Sequence, residues 1–231
     1  MSAEKETMYQ MIMAVIRTYV YPVSLESFRL LPDSLVLGTA ILAGLSMCTS
    51  YSVLLFTMFE LMIGQRIFAS IIGGISPIGA GPDALNEVCL PGFNYPNTMR
   101  ISLLETIGKP SFFPSPVIFF LTGIFSYMLG SIQEFKREIK SLGGDLSVRT
   151  LIGVILSGAF AFVMLAFRYS HGCESFGTLL LSLIMGAIAG FTLVFQNKLI
   201  FGRVGINILN LPLIQTAEER GKPMYVCAPS T

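Results

Sequence analysis

Charge is what this sequence has least of. Lys, Arg, Asp and Glu make up 13% of its 231 residues, whereas a soluble domain carries about 25%, so polar groups are too few to cover a water-facing surface. Fifteen basic residues against fourteen acidic ones leave a net charge of +1. That balance excludes a nucleic-acid binder working by bulk positive charge. Tryptophan is absent, and histidine occurs once, at His171. It sits two residues before Cys173 in His-Gly-Cys-Glu, but a tetrahedral zinc shell would need two further ligands at suitable spacing, and none is clustered nearby, so His171 reads as an exposed loop residue. A nucleophile elbow, a phosphate loop, H-E-x-x-H and a dinucleotide fingerprint are also missing. The loop carboxylates Asp83, Glu87 and Glu105 read as solvated charges. No catalytic residue, cofactor site or metal site is expected.

What the chain has in quantity is apolar sequence: 53% of residues are hydrophobic, with a mean hydropathy of +0.70, and they lie in long blocks. About 20 mostly apolar residues cross the roughly 30 Å hydrocarbon core as a helix. Four runs meet that description, at 34–59, 116–132, 150–167 and 175–196, and none contains Asp, Glu, Lys, Arg or His. The expected fold is therefore an all-α membrane protein of four transmembrane helices. Residues 1–33 form an N-terminal tail with an amphipathic helix, 34–197 the bundle including a long loop at 60–115, and 198–231 an extended C-terminal tail. The stretch 67–82 is apolar too, but Gly73, Gly74, Pro77, Gly79, Gly81 and Pro82 argue for a loop or re-entrant segment.

The first residues, MSAEKET, do not resemble a secretory signal. From Met8, apolar residues recur at Met11, Ile12, Val15, Ile16 and Tyr19, the spacing of an amphipathic helix that ends near Pro22. With four spans, both tails and the 133–149 loop share a side holding eleven basic residues. The opposite side holds four: Arg66, Arg100, Lys109 and Arg168. By the positive-inside rule both termini face the cytosol or its equivalent.

Small residues recur every four positions within the spans, among them Gly44, Gly130, Gly153, Gly186 and Gly190. Such stripes let helices approach closely where lipid removes the hydrophobic drive. They serve a compact bundle or homo-oligomeric contacts, Gly186 and Gly190 forming a full GxxxG. Glu60 and Gln196 fall at span ends, which leaves no ionisable group inside the membrane and disfavours a proton-coupled transporter. Cys48 reads as a small packing residue within a span. Cys89 and Cys173 lie in loops on the same side, so a disulfide between them can tie the long loop to the bundle. The loop and the apolar strips of the tail, from Asn207 to Ile214 and from Pro223 to Cys227, suit contact surfaces, whether for partners or for the protein's own bundle.

Cys89-Leu-Pro-Gly-Phe93, Phe112-Phe-Pro-Ser-Pro116, Arg168-Tyr with Cys173, and a tail with Asn207-Ile-Leu-Asn, Pro212-Leu-Ile and Gly221-Lys-Pro-Met-Tyr-Val-Cys227 stand together over about 35–227. In this combination the chain resembles a group of small multispan membrane proteins of large nucleocytoplasmic DNA viruses, the algal viruses and relatives of mimivirus. The resemblance implies a place, not a reaction. It points to the internal lipid membrane of the particle, with capsid or other virion structural proteins as partners beside the lipid bilayer. It also matches Cys89 and Cys173 to loop cysteines of the group. The expected function is a structural anchor without catalysis. The alternatives are a small channel or transport-type protein, and a membrane-biogenesis enzyme or assembly factor that would depend on His171 or Asp83.

Overall fold

The computed structural model describes residues 8, 10–11, 13–72, 88–94, 100–102, 113–141, 144–209 and 211. Among the described residues, six α-helices carry most of the regular structure: α1 (Tyr21–Ser46), α2 (Thr49–Ile72), α3 (Pro116–Glu134), the short α4 (Lys136–Ser141), α5 (Gly144–Ser170) and α6 (Phe176–Gly205). A π-helical turn, Ile16–Val20, runs into α1. Two strands of two residues each, β1 (Phe93–Asn94) and β2 (Arg100–Ile101), pair antiparallel with Phe93 opposite Ile101.

Five of these helical segments, among the described residues, are long and apolar enough to cross a membrane: Met13–Ser46, Thr49–Ile72, Pro116–Glu134, Val148–Ser170 and Phe176–Gly205. That is one more than the sequence reading expected. The expected single span at 34–59 is a helical hairpin whose turn falls at Met47 and Cys48. Met47 takes the left-handed conformation (φ 48°, ψ 26°) and its N–H returns to the Ala43 carbonyl at 3.1 Å, an αL cap. The N-terminal helix does not stop near Pro22. That proline sits in the first turn of α1, where its missing N–H is no loss, and the helix continues through buried Pro32 to Ser46. Three charges lie inside it. Glu26 pairs with Arg29 one turn on, at 2.7 Å, and Asp33 is buried, with the Ser102 hydroxyl 3.5 Å from its carboxylate.

The remaining boundaries shift in one direction, toward longer helices. α2 takes residues 60–72 from the expected 60–115 loop, including the first part of 67–82, and α6 runs eight or nine residues into the expected tail. α5 begins at Gly144 and ends at Ser170. Residues 73–87, 103–112 and 212–231, which include Asp83, Glu87, Glu105, Phe112 and Cys227, lie outside the described residues.

α3 is the centre of the bundle. Ile118, Phe119, Phe120 and Tyr127 are essentially inaccessible to solvent, and the helix packs on α6, α2 and α5. Its closest approach is to α6. A Cβ on Gly186 would collide with Thr122 and the Phe119 backbone, and one on Gly190 with the Gly123 carbonyl. The GxxxG pair is thus used inside the chain and not kept for a second copy. Gly130 faces Val194 in the same seam, whereas Gly44 and Gly153 have open space where a side chain would stand. α5 turns most of its length outward, exposing Leu151, Ile152, Ile155, Leu156, Phe160, Phe162 and Val163. An apolar face of that extent suits acyl chains, since water would make it an aggregation surface.

Contacts fix the helix directions. Tyr21 meets His171, and Gln65 meets Pro114, at one end; Ser50 meets Val204, and Glu134 meets Lys198, at the other. The long helices therefore alternate in direction, with the 47–48 turn, the 135–141 segment and the end of α6 at one end of the bundle. We call this the basic end, and the opposite one the disulfide end.

Candidate functional site

Polar side chains are few enough that each buried group needs a partner. They gather at three levels of the bundle.

At the disulfide end, Cys89 and Cys173 are bonded (S–S 2.03 Å, Cα–Cα 5.3 Å), joining positions 84 apart in sequence. The turn that carries Cys173 is built by Gly172, whose φ of 65° suits glycine, and by the Cys173 N–H donating to the Arg168 carbonyl. Beside the disulfide lies a buried ion pair. Arg168 Nε donates to Glu174 Oε2 at 2.7 Å and Nη2 to Oε1, while Nη2 also reaches the Cys89 carbonyl at 3.2 Å. Glu174 accepts from the Ser115 hydroxyl at 2.7 Å. The Ser115 N–H donates to Ser182 Oγ at 2.7 Å, and Gln65 Nε2 donates to the Pro114 carbonyl at 2.8 Å. Loop 88–92, the start of α3 and the α5–α6 turn are thus held by one network with a covalent bond across it.

His171 sits on the flank of that network, half-buried rather than exposed. Its Nδ1 lies 2.9 Å from the Phe167 carbonyl, which can only accept, so Nδ1 carries the proton. Nε2 meets the Tyr21 hydroxyl at 3.1 Å, and the ring packs on Phe167 at 4.3 Å between centroids. Nδ1 thus fixes the ring on the end of α5, and Nε2 ties it to α1.

In mid-bundle, Glu60 and Gln196 are not at helix ends. Glu60 lies in the middle of α2 and accepts from Gln196 Nε2 of α6. Next to it, Asn197 Nδ2 donates to Thr57 Oγ1 at 2.7 Å and approaches the Tyr127 hydroxyl at 3.3 Å, and all three of these residues are fully buried. Two acceptors of this chain, Glu60 Oε2 and Asn197 Oδ1, are buried without a hydrogen-bond partner among the described residues.

No protein-family model, curated protein or solved structure matches the chain.

At the basic end, Glu134 of α3 takes Lys198 at 2.9 Å and Arg203 Nε at 3.4 Å, and Arg203 Nη2 binds Glu138 of α4. The Arg203 guanidinium stands 5.2 Å above the Phe135 ring. Cys48, in the 47–48 turn at this end, is buried and itself disulfide-bonded. It is a turn residue in covalent use, not a packing residue inside a span. Among the described residues no group of three or more His, Cys, Asp or Glu could hold a metal ion.

Sequence reasoning placed Cys89 and Cys173 on one side but missed Arg168, Glu174, Ser115 and Ser182 around them. Arg168 and Glu174 flank the short 169–173 segment with opposite charges, which was the available signal. Asn197, Tyr127 and Thr57 come from three helices and left no local trace.

Proposed function

We propose that the protein is a structural integral-membrane protein of a large DNA virus particle, anchoring capsid or core proteins to the internal membrane without catalysis. The observation that carries this reading is that cystine sits at both ends of the bundle, Cys89–Cys173 at one and Cys48 at the other. A reducing cytosol on one face of an ordinary cell membrane keeps thiols there unbonded, whereas extracellular and virion compartments let disulfides persist. Disulfides at both ends fit a membrane removed from the cytosol on both faces, as inside a released particle. The sequence resemblance supplies the virus. The clasp at the disulfide end supports the anchoring role, since it holds the 88–92 segment against the bundle by a covalent bond beside a buried ion pair.

On this reading the five helices cross the bilayer and the lipid is met chiefly by α5. The start of α1 and the end of α6 then lie on opposite faces. Arg17 and Arg29 move to the disulfide end, which removes much of the charge bias that a four-span count gives. The test is peptide mass spectrometry on purified particles, alkylated before reduction and repeated after mild detergent stripping. Recovery in stoichiometric amounts with shell proteins after lipid removal, with Cys48, Cys89 and Cys173 protected from alkylation, is the expected result. Absence from particles, with the protein left in infected-cell membranes, would sink the reading.

The mid-bundle chain favours a second reading, a channel or transport-type protein. An ionisable group among spanning helices commonly marks an ion or proton path, and Glu60 occupies that position with an unpartnered oxygen. Proteoliposome flux that is lost in Glu60→Gln would establish it, and flux absent from the intact protein would remove it.

A further inference from the structure

The basic end holds a cleft that neither reading uses. It has a volume of about 640 Å³ and is lined by Gln133, Glu134, Lys136, Arg137, Glu138, Lys140 and Arg203. Its floor is made by α4, which buries Glu138 and Ile139, with Phe135 just before it, and turns Lys136, Arg137 and Lys140 outward. Four cations and two carboxylates face this space. Both carboxylates are already committed, Glu134 to Lys198 and Arg203, and Glu138 to Arg203. The three outward cations of α4 have no ion-pair partner among the described residues. The cleft is thus left with a surplus of positive charge on a short, well-packed helix.

Its depth narrows the ligand. α3 and α6 are apolar up to Ile132 and Phe195, and the cleft opens where those runs end, at the level of lipid headgroups. A mostly apolar crevice lined by Met128, Ser131, Ile132, Phe135, Ile208 and Leu209 lies beside it, Phe135 standing in sequence between the cleft residues Glu134 and Lys136, and Phe195, Leu199 and Ile200 are exposed along the neighbouring helix. A cationic pocket next to apolar surface is complementary to an amphiphile with an anionic head. Basic pockets between spanning helices bind phosphate headgroups in this way, with arginine offering the forked donor geometry a phosphate accepts.

We propose that this cleft binds the phosphate headgroup of an anionic phospholipid, with Lys136, Arg137 and Lys140 as its direct contacts and Arg203 as their fixed backing. The proposal rests on the bundle sitting in a bilayer and is independent of the virion reading. The test is native mass spectrometry of the full chain in detergent, titrated with phosphatidylglycerol or phosphatidylcholine. The variants are Lys136→Gln/Arg137→Gln/Lys140→Gln and, as a control at the far end, Arg17→Gln. Wild type and Arg17→Gln should retain phosphatidylglycerol at least about tenfold better than phosphatidylcholine, and the triple variant should lose that preference. Equal retention of the two lipids by wild type, or an unchanged preference in the triple variant, overturns the proposal. Soluble glycerol phosphate distinguishes the two sources of the same chemistry. Displacement of phosphatidylglycerol at equimolar concentration would make this a site for a free phosphate ester and would also overturn it, whereas no displacement is the lipid result.

Discussion

The two ends of the bundle handle charge in opposite ways. At the disulfide end, Arg168 and Glu174 are both withdrawn from water, with side chains 8% and 2% exposed, and Arg168 Nε and Nη2 meet specific acceptors close to a covalent bond. At the basic end, Lys198 and Arg203 keep 40% and 35% of their side chains in solvent, and three cations of α4 face outward without an ion-pair partner among the described residues. Buried charges cost several kcal/mol each to desolvate and hold only in one geometry, whereas solvated pairs contribute little and exchange freely. One end is therefore built to be fixed and the other to remain available. This is the difference expected between a clasp on the protein's own loop and a surface for an anionic ligand.

Breaking the clasp should produce the largest effects. Arg168→Met leaves Glu174 buried without its counter-charge and should destabilise the protein by about 3–5 kcal/mol in reversible denaturant unfolding in micelles. Adding Glu174→Leu should recover much of that loss. A single variant no weaker than wild type would mean that the pair is hydrated in solution. Replacing Cys89 and Cys173 together by Ser should cost about 2–4 kcal/mol, because it frees a long segment of the unfolded chain. Protease sensitivity should rise first in the loop, and unchanged proteolysis would show that the ion-pair network holds the loop alone. Ser115→Ala removes the hydroxyl that Glu174 accepts from and should cost about 1–3 kcal/mol, read in the same unfolding experiment. Lys198→Met at the basic end should change stability by no more than about 1 kcal/mol. A larger loss there would erase the contrast between the two ends.

Much of the fold is legible in single residues and runs. The apolar blocks at 116–132, 150–167 and 175–196 contain no charge and fall on α3, α5 and α6 with its N-cap Ser175, because the transfer of a side chain from water to lipid is a local quantity. The 34–59 run misled for the same reason. Its length suits one span, and Met47-Cys48 carries neither Gly nor Pro to announce a turn. Upstream, Glu26, Arg29 and Asp33 disguise a helix that is long and apolar enough to cross, since their cost is offset by the Glu26–Arg29 pair and by contact with Ser102. The glycine stripes announced close packing but not its partner. Gly186 and Gly190 lie against α3, and only their position in the assembled bundle shows that the contact is internal.

The sequence by itself determined that this is a helical membrane protein, and put two loop cysteines where they could meet. Hydrophobicity adds up residue by residue along the chain, and loop connectivity constrains which side a cysteine can reach. Only the tertiary structure decided that five helices are long enough to cross, that Glu60 lies among them, and that Arg168 is locked while Lys136, Arg137 and Lys140 are not. Each of those depends on which side chains from distant segments share a dielectric environment, and that is a property of the packed bundle, absent from any single stretch of sequence.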